Sequence, residues 1–431
     1  MFATLFVFGT ALRIMSLFYM GVSDMPEYVR WGTCAYEEGL AKAYHGIYFP
    51  LQYQIFQLCV ALSDWSGLEP YMILKGVNLT FDFGILFVLI RLLRAWKLRA
   101  SYALLYWCHP WFLAITFLGY IDVQYSFFIL STVYLARKER SFRGAFIAGI
   151  PLGLAFLMKP QAEILVLACG LYFVSQWLYH REWRSLGFLI MPSLFFIAYS
   201  VFFFVQVGDI TRVTSSYLAV ASAYPCLTAS MLNIWYPLAY FFVPTGFHLY
   251  PDTNLIVGLI SYRTVGIILT FMALTTFIVK IGKAPQALEG DRRTYVLFTC
   301  AAMVLPMLMT CAHENHFYLS CILLVILLPL VPSLFYAAGI HYLLLLQAFN
   351  ILSLYGLGRN ALSKYVWMVF DNLRTPTFTL IATIIGCMCF FSLYNLLFEL
   401  VSAPQRRIRR FVPGLILFAT VLAIEVICVA I

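Results

Sequence analysis

Apolar residues in this chain run in long unbroken stretches, without the strict alternation of a half-buried strand or the narrow stripe of a surface helix. A helix that crosses a bilayer needs about 20 mostly apolar residues. Applied along the chain, that rule predicts spans near 2–20, 71–93, 102–118, 123–136, 144–158, 162–179, 186–206, 255–279, 295–312, 317–334, 338–357, 376–398 and 411–430. The expectation is an all-α polytopic membrane protein of about 13 transmembrane helices, with 1–431 forming one integral-membrane domain. The run 51–62, LQYQIFQLCVAL, is apolar but only about twelve residues long, too short to cross. It is expected to be an interfacial or re-entrant helix in the first outer loop, 21–70. The other long outer loop is 207–254. No small-residue cleavage pattern follows the first segment, so it is expected to remain as a permanent helix.

Composition removes the alternatives. The chain is 63% hydrophobic and 11% charged, whereas soluble domains are roughly half apolar and about a quarter charged. Its 39 Phe, 28 Tyr and 9 Trp exclude a disordered chain, and its scattered glycines and prolines exclude a collagen-like one. The 11 Cys form no CxxC pair and no His/Cys ligand spacing, so they are expected to be reduced and to pack as small apolar residues.

The net charge of +9 matters through its placement. With the N-terminus cytoplasmic, the loops near 91–99, 137–143, 181–184, 280–293 and 406–410 carry 18 of the 28 Lys and Arg residues. Every second loop is then basic, which points to membrane topology and not to nucleic acid. The same assignment places Asp24, Glu27, Asp122, Asp209, Asp252 and Glu314 on the extracytoplasmic side.

Ionisable groups at membrane depth are costly and mark sites by default. Asp24, Asp122, Lys159 and the run His313-Glu314-Asn315-His316 collect at the outer ends of spans. One carboxylate with nearby cations is enough for transfer from a phosphate-linked substrate: the acid takes a proton from an acceptor hydroxyl, and phosphate leaves as an anion without needing protonation. A glycosidase, whose leaving group is an alkoxide, normally needs two carboxylates. Asp24, at the start of a long loop, suits the single base. The bland readings are a solvated helix-end acid for Asp24, a hydrogen-bonded cap for His313–His316, and an interfacial belt for the aromatic residues. There is no GxxxxGK[ST] loop and no GxGxxG after a strand, so a cytosolic nucleotide sugar has no visible cradle.

The order of motifs resembles prokaryotic membrane glycosyltransferases related to the second mannosyltransferase of GPI-anchor synthesis, within the GT-C superfamily. The resemblance rests on Asp24-Met25 with Tyr28 and Trp31, Tyr48-Phe49-Pro50-Leu51-Gln52-Tyr53, Lys75 and Asp82, Gly119-Tyr120-Ile121-Asp122, Lys159-Pro160-Gln161, and His313-Glu314-Asn315-His316-Phe317-Tyr318-Leu319. It implies a polyprenyl-phosphate sugar donor, most simply a mannosyl donor, a lipid or glycan hydroxyl as acceptor, and inversion on the extracytoplasmic face of a prokaryotic plasma membrane. An endoplasmic-reticulum membrane with a luminal site gives the same topology.

By resemblance Asp24 is the catalytic aspartate, the base of the reaction, and His313 and Glu314 lie near the donor phosphate. Lys159, Gln161 and Asp122 shape the cavity, and Glu27, Tyr48 and Tyr53 line it or meet the acceptor. The family's Tyr-Pro-Pro, Gly-Gln-x-Asp and His-Glu-Arg read here as Tyr48-Phe49-Pro50, Gly119-Tyr120-Ile121-Asp122 and His313-Glu314-Asn315. The cation lost in the last of these is expected from Lys159 first, or from His316 or Arg359.

No cofactor is expected to be required. Asp24, Glu27 and Asp122 nevertheless offer oxygen ligands of the kind a hard divalent metal takes. The competing functions are a flippase or carrier for a lipid-linked sugar, for which the sequence shows no paired repeat, and a scaffold that binds donor without turnover.

Overall fold

A computed structural model describes residues 2–22, 24–44, 46, 48–136, 141–209, 211–212, 225–242, 250–256, 258–283, 290–331, 333–355 and 375–402. The expected span 411–430 and the residue Arg359 lie outside the described residues. Among the described residues the structure is all-α apart from one two-stranded ribbon, and six helices are long and apolar enough to cross a membrane. By internal contacts the chain divides into two compact units, Met1–Ala223 with Gly290–Thr294, and Tyr224–Glu289 with Tyr295–Ile431.

The first unit holds α1 (Phe2–Ser16), α2 (Met25–Glu37), α3 (Leu40–Ala43), α4 (Pro50–Ser66), α5 (Pro70–Ala95), α6 (Ala103–Cys108), α7 (Pro110–Leu118), α8 (Asp122–Ala136), α9 (Phe142–Phe156), α10 (Gln161–His180) and α11 (Gly187–Val207). Of these, α5, α10 and α11 with the turn before it have spanning length. Local chemistry sets the boundaries. Proline stands in the first turn of α2, α4, α5 and α7, where its missing N–H costs nothing. Pro110 divides the run expected as one span over 102–118 into α6 and α7, and the His109 side chain accepts from Trp111 N–H at 3.3 Å to start the second piece. Gly119, at φ +77°, ends α7 in the left-handed conformation. The first expected span is a helix of 15 residues, which at about 1.5 Å per residue is shorter than a hydrocarbon core of about 30 Å. Residues 51–62 lie within α4, a helix of 17 residues.

Buried charges tie these helices together. In α5, Asp82 faces Arg13 of α1 at 3.4 Å and accepts hydrogen bonds from Tyr106 and from Thr116, the latter at 3.1 Å. The Arg13 guanidinium lies 4.0 Å from the Trp107 ring centroid. The Lys75 ammonium donates to the carbonyls of Ser16 at 3.0 Å, of Phe117 at 2.6 Å, and of Tyr19. Those carbonyls lie at and just beyond the C-terminal ends of α1 and α7, where backbone acceptors have no partner within the helix. Helices α9 and α11 meet through glycines. A Cβ on Gly187 would stand 2.6 Å from Phe146 N, and one on Gly149 3.0 Å from Gly187 O. The spacing Ala145, Gly149, Gly153 is the small-residue ladder that lets membrane helices approach backbone to backbone.

The second unit holds α12 (Tyr236–Phe242), the antiparallel pair β1 (Leu255–Ile256) and β2 (Ile260–Ser261), α13 (Tyr262–Lys283), most of α14 (Gly290–Leu308), α15 (Tyr318–Leu327), α16 (Leu334–Tyr355) and α17 (Pro376–Ser402). Here α13, α16 and α17 have spanning length. Pro306 inside α14 removes one helical hydrogen bond, and Ser320 Oγ donates to the freed carbonyl of Ala302 at 2.7 Å. Asn233 Nδ2 donates to the carbonyls of Pro306 and Met309 at 3.0 and 3.2 Å, and Trp235 Nε1 to that of Leu308 at 2.8 Å, so the end of α14 is held by side chains. In place of one span over 317–334, α15 has 10 residues and runs into the 3-10 turn Leu328–Leu330 at Pro329.

The glycine contact is testable. Gly187→Leu forces a side chain into backbone atoms of α9, and overpacking of this kind costs about 1–3 kcal/mol. A lower melting temperature in detergent is expected, while Gly170→Ala in α10, where an added Cβ meets nothing within 4 Å, is expected to leave it unchanged or raised.

Candidate functional site

In the first unit the site begins at the start of α2. Asp24 stands at the N-cap of that helix, yet its side chain makes no capping hydrogen bond to the first turn. One helical turn on, Tyr28 Oη donates to Asp24 Oδ2 at 3.1 Å. The Tyr48 hydroxyl lies 3.0 Å from the Tyr28 hydroxyl, and because Tyr28 gives its proton to Asp24, Tyr48 is the donor of that second bond. Burial above all, then the neighbouring Asp24 carboxylate, raises the Tyr28 phenol well above its ordinary range. Tyr28 therefore stays protonated and remains a donor to Asp24.

Aromatic packing fixes this chain of hydroxyls. Tyr28 stacks on Phe56 of α4 with centroids 4.9 Å apart and meets Tyr48 edge-on at 5.7 Å. Trp31 stacks on Tyr53 at 5.6 Å, and Tyr44 meets Tyr53 edge-on at 5.2 Å. Tyr53 thus enters as a packing ring, buried with Tyr28, Trp31, Tyr48 and Phe56 in one cluster. Such offset and edge-to-face pairs each add about 0.5–1.5 kcal/mol beyond their buried area.

Behind Tyr48 lies an ion pair closed to water. Lys159 Nζ is 2.7 Å from Asp122 Oδ1, with side chains 3% and 0% exposed. The ammonium is 5.7 Å from the Tyr48 ring centroid and 5.6 Å from that of Tyr125. Phe49 N–H donates to Met158 O at 3.3 Å, which joins the segment before α4 to the segment before α10. Lys159, ranked first from the sequence as a phosphate-binding cation, is neutralised by Asp122 and does not reach solvent. Here it anchors Asp122 and Tyr48.

Two glutamines of this unit keep buried polar atoms without partners among the described residues. Gln161, the first residue of α10, has a buried Oε1 with no hydrogen-bond partner among the described residues, and the buried Gln52 has neither amide atom partnered there. Buried polar groups are rarely left so, and a bound polar molecule would satisfy them. Glu27 is exposed and pairs with Arg30 one turn along α2, at the surface. Among the described residues no group of three His, Cys, Asp or Glu is arranged to hold a metal ion.

The second unit carries the histidine turn. His313 is extended and precedes the 3-10 turn Glu314–Phe317, and its N–H donates to His316 Nδ1 at 3.3 Å. The two imidazole centroids are 5.2 Å apart. Glu314 is buried, receives a hydrogen bond from Tyr355 Oη at the end of α16, and lies 4.0 Å from His313 Nδ1. His313 also forms bridges to Ala229 and Ser230, and Asn350 Nδ2 donates to Ser230 O at 2.8 Å.

Tyr28 and Tyr355, which hydrogen-bond to Asp24 and Glu314, are hydroxyls to which the residue reading assigned no role. The four-residue spacing from Asp24 was the available signal for Tyr28, since such residues share a helix face; nothing in the sequence pairs Tyr355 with Glu314. No protein-family model matches the chain, and no curated protein matches it either.

The buried pair yields a prediction. Lys159→Met leaves Asp122 as an uncompensated buried charge, and breaking such a pair costs about 3–5 kcal/mol. Denaturation in detergent is expected to show that loss for the single variant, and recovery of most of it in Lys159→Met with Asp122→Leu.

Proposed function

We propose that this protein is an inverting membrane glycosyltransferase that moves a hexose, mannose by the family resemblance, from a polyprenyl-phosphate donor to a lipid or glycan hydroxyl. The proposed topology has about 13 spans, a cytoplasmic N-terminus and an extracytoplasmic site in a prokaryotic plasma membrane. The observation that carries the reading is the chain Tyr48, Tyr28, Asp24. It gives a carboxylate that is not used for helix capping, is half-buried and is aimed by a phenol that stays protonated.

In the proposed reaction Asp24 accepts the proton of the acceptor hydroxyl while the hydroxyl oxygen attacks the anomeric carbon on the face opposite the phosphate. The bond from that carbon to the phosphate oxygen breaks, and the electron pair leaves on polyprenyl phosphate. Because the leaving group is already an anion, no general acid is required, and one carboxylate does the proton chemistry. Lys159 and Asp122 act as positioning residues behind Tyr48. Gln52 and Gln161 supply polar atoms for sugar or acceptor hydroxyls. In the second unit the resemblance assigns His313 and Glu314 to the donor phosphate, with Tyr355 orienting Glu314 and His316 a candidate for the missing cation.

Purified protein supplied with a polyprenyl-phosphate mannose and a lipid acceptor tests this. Asp24→Asn is expected to lower kcat by about 10²–10⁴-fold, the usual worth of a general base, with its melting temperature kept. Tyr28→Phe, which keeps the ring stack and removes the donor, is expected to lower kcat by about tenfold with KM unchanged, as loss of positioning does. Full turnover by Asp24→Asn removes the proposed base. Movement of the lipid-linked sugar across liposomes without covalent transfer replaces the enzyme with a carrier. Incubation with EDTA is expected to leave turnover unchanged; a loss restored by magnesium or manganese assigns a metal role to the acidic residues of the first outer loop.

A further inference from the structure

Two cysteines of the second unit, far apart in sequence, meet beside the histidine turn. Cys311 N–H donates to Cys226 O at 3.0 Å. Two residues joined backbone to backbone in this way have Cα atoms about 5–6 Å apart, inside the window of roughly 4.4–6.8 Å that disulfides occupy. Cys311 has φ +58°, an uncommon conformation for a residue with a side chain, and it turns this N–H toward the Cys226 carbonyl. Both thiols are half-buried and reduced in the structure. The Cys311 thiol donates to Asp252 Oδ2 at 3.0 Å, and Asp252 is already held by Arg263 through two bonds of 2.8 and 3.0 Å and by Thr310 at 2.7 Å. Asp252 therefore keeps three donors when the thiol hydrogen is removed, so the sulfur is spared from the network.

We propose that Cys226 and Cys311 are a redox modification site and form a disulfide in an oxidising compartment. The proposal rests on the outward orientation given above for this part of the chain, and not on the transferase chemistry. Two thiols lose two protons and two electrons, one sulfur–sulfur bond forms, and the co-reactant is an external disulfide, which is reduced to two thiols. Burial, then Asp252, holds the Cys226 thiol up at about 11, so exchange is slow without an oxidoreductase.

The bond would fasten the strand-like segment 226–230 to residues 311–313. That segment already frames the turn: Ala229 N–H donates to Ala312 O at 3.0 Å, and Ala229 and Ser230 bridge His313. Closing the disulfide would hold His313 and Glu314 against the backbone that presents them, and opening it would leave hydrogen bonds alone.

The full chain in detergent is to be incubated with and without oxidised glutathione and a protein disulfide isomerase, its remaining free thiols then blocked with N-ethylmaleimide, and the digest analysed by mass spectrometry. A Cys226–Cys311 linked peptide that appears with oxidised glutathione and disappears with dithiothreitol is expected, together with a melting temperature several degrees higher in the oxidised protein. Cys226→Ser leaves the Asp252 network intact and is expected to lose both the linked peptide and the temperature shift. Complete maleimide labelling of both cysteines after oxidation overturns the proposal, as does oxidation of either one only to a glutathione adduct. The measurement needs no donor or acceptor, so its failure and the failure of the transferase reading are separate results.

Discussion

An ammonium and a carboxylate 2.7 Å apart, both closed to water, are the fixed point of the first unit. Taking two charges out of water costs several kcal/mol per ion, and their attraction offsets this only in good geometry. Lys159 therefore cannot wander, and neither can the segments that bring the pair together. Pro160 sets the start of α10, Asp122 opens α8, and the Phe49 to Met158 hydrogen bond draws in the residues before α4. The Tyr48 ring lies against the ammonium, so Tyr48 is placed by the same pair. From Tyr48 two hydroxyl contacts lead to Asp24. A half-buried acid at the start of a loop helix thus takes its orientation from a charge pair in the interior.

The buried and half-buried charges of this chain have two kinds of partner. Lys75 gives its ammonium to three backbone carbonyls at or just past helix ends, and Arg13 is spent on Asp82 and on the carbonyls of Trp107 and Tyr106. These groups satisfy backbone acceptors that apolar surroundings would leave unpaired, which is a fastening role. Asp24 touches a phenol instead of a backbone end, and Glu314 is held by a phenol and lies near an imidazole.

The helical class was legible because uninterrupted apolar runs have few other solutions, and the helices α5, α10, α11, α13, α16 and α17 follow runs read from length alone. The breaks were carried by signals that a length rule does not weigh. His109-Pro110 divides one run, and Pro329 helps to end another. Asp24 with Tyr28 was readable in principle from their spacing. Asp122 with Lys159 was readable only as two polar residues near span ends, because what joins them is the packing of separate helices. The proline and glutamine beside Lys159 suggested a cation that could face a phosphate; its partner in the structure is Asp122, and no local pattern names that partner. Glu314 with Tyr355 is of the same kind. The α9–α11 contact is the opposite case, since its small residues stand four apart in the sequence and needed only to be counted.

Pairing Lys159 also bears on how Asp24 would work as a base. An unpaired ammonium a few ångströms behind the relay would attract the electron pair that Asp24 must offer to a hydroxyl proton, and in low dielectric that field is weakly screened. The Asp122 carboxylate cancels it at short range. What then reaches Asp24 is a neutral hydrogen bond from a phenol, enough to fix direction without drawing away charge. Inverting transfer needs this combination, because the nucleophile must approach the anomeric carbon along one line while the base accepts its proton. Under that reading the interior pair serves the reaction by being neutral, and the cation that meets the donor phosphate has to come from elsewhere in the chain.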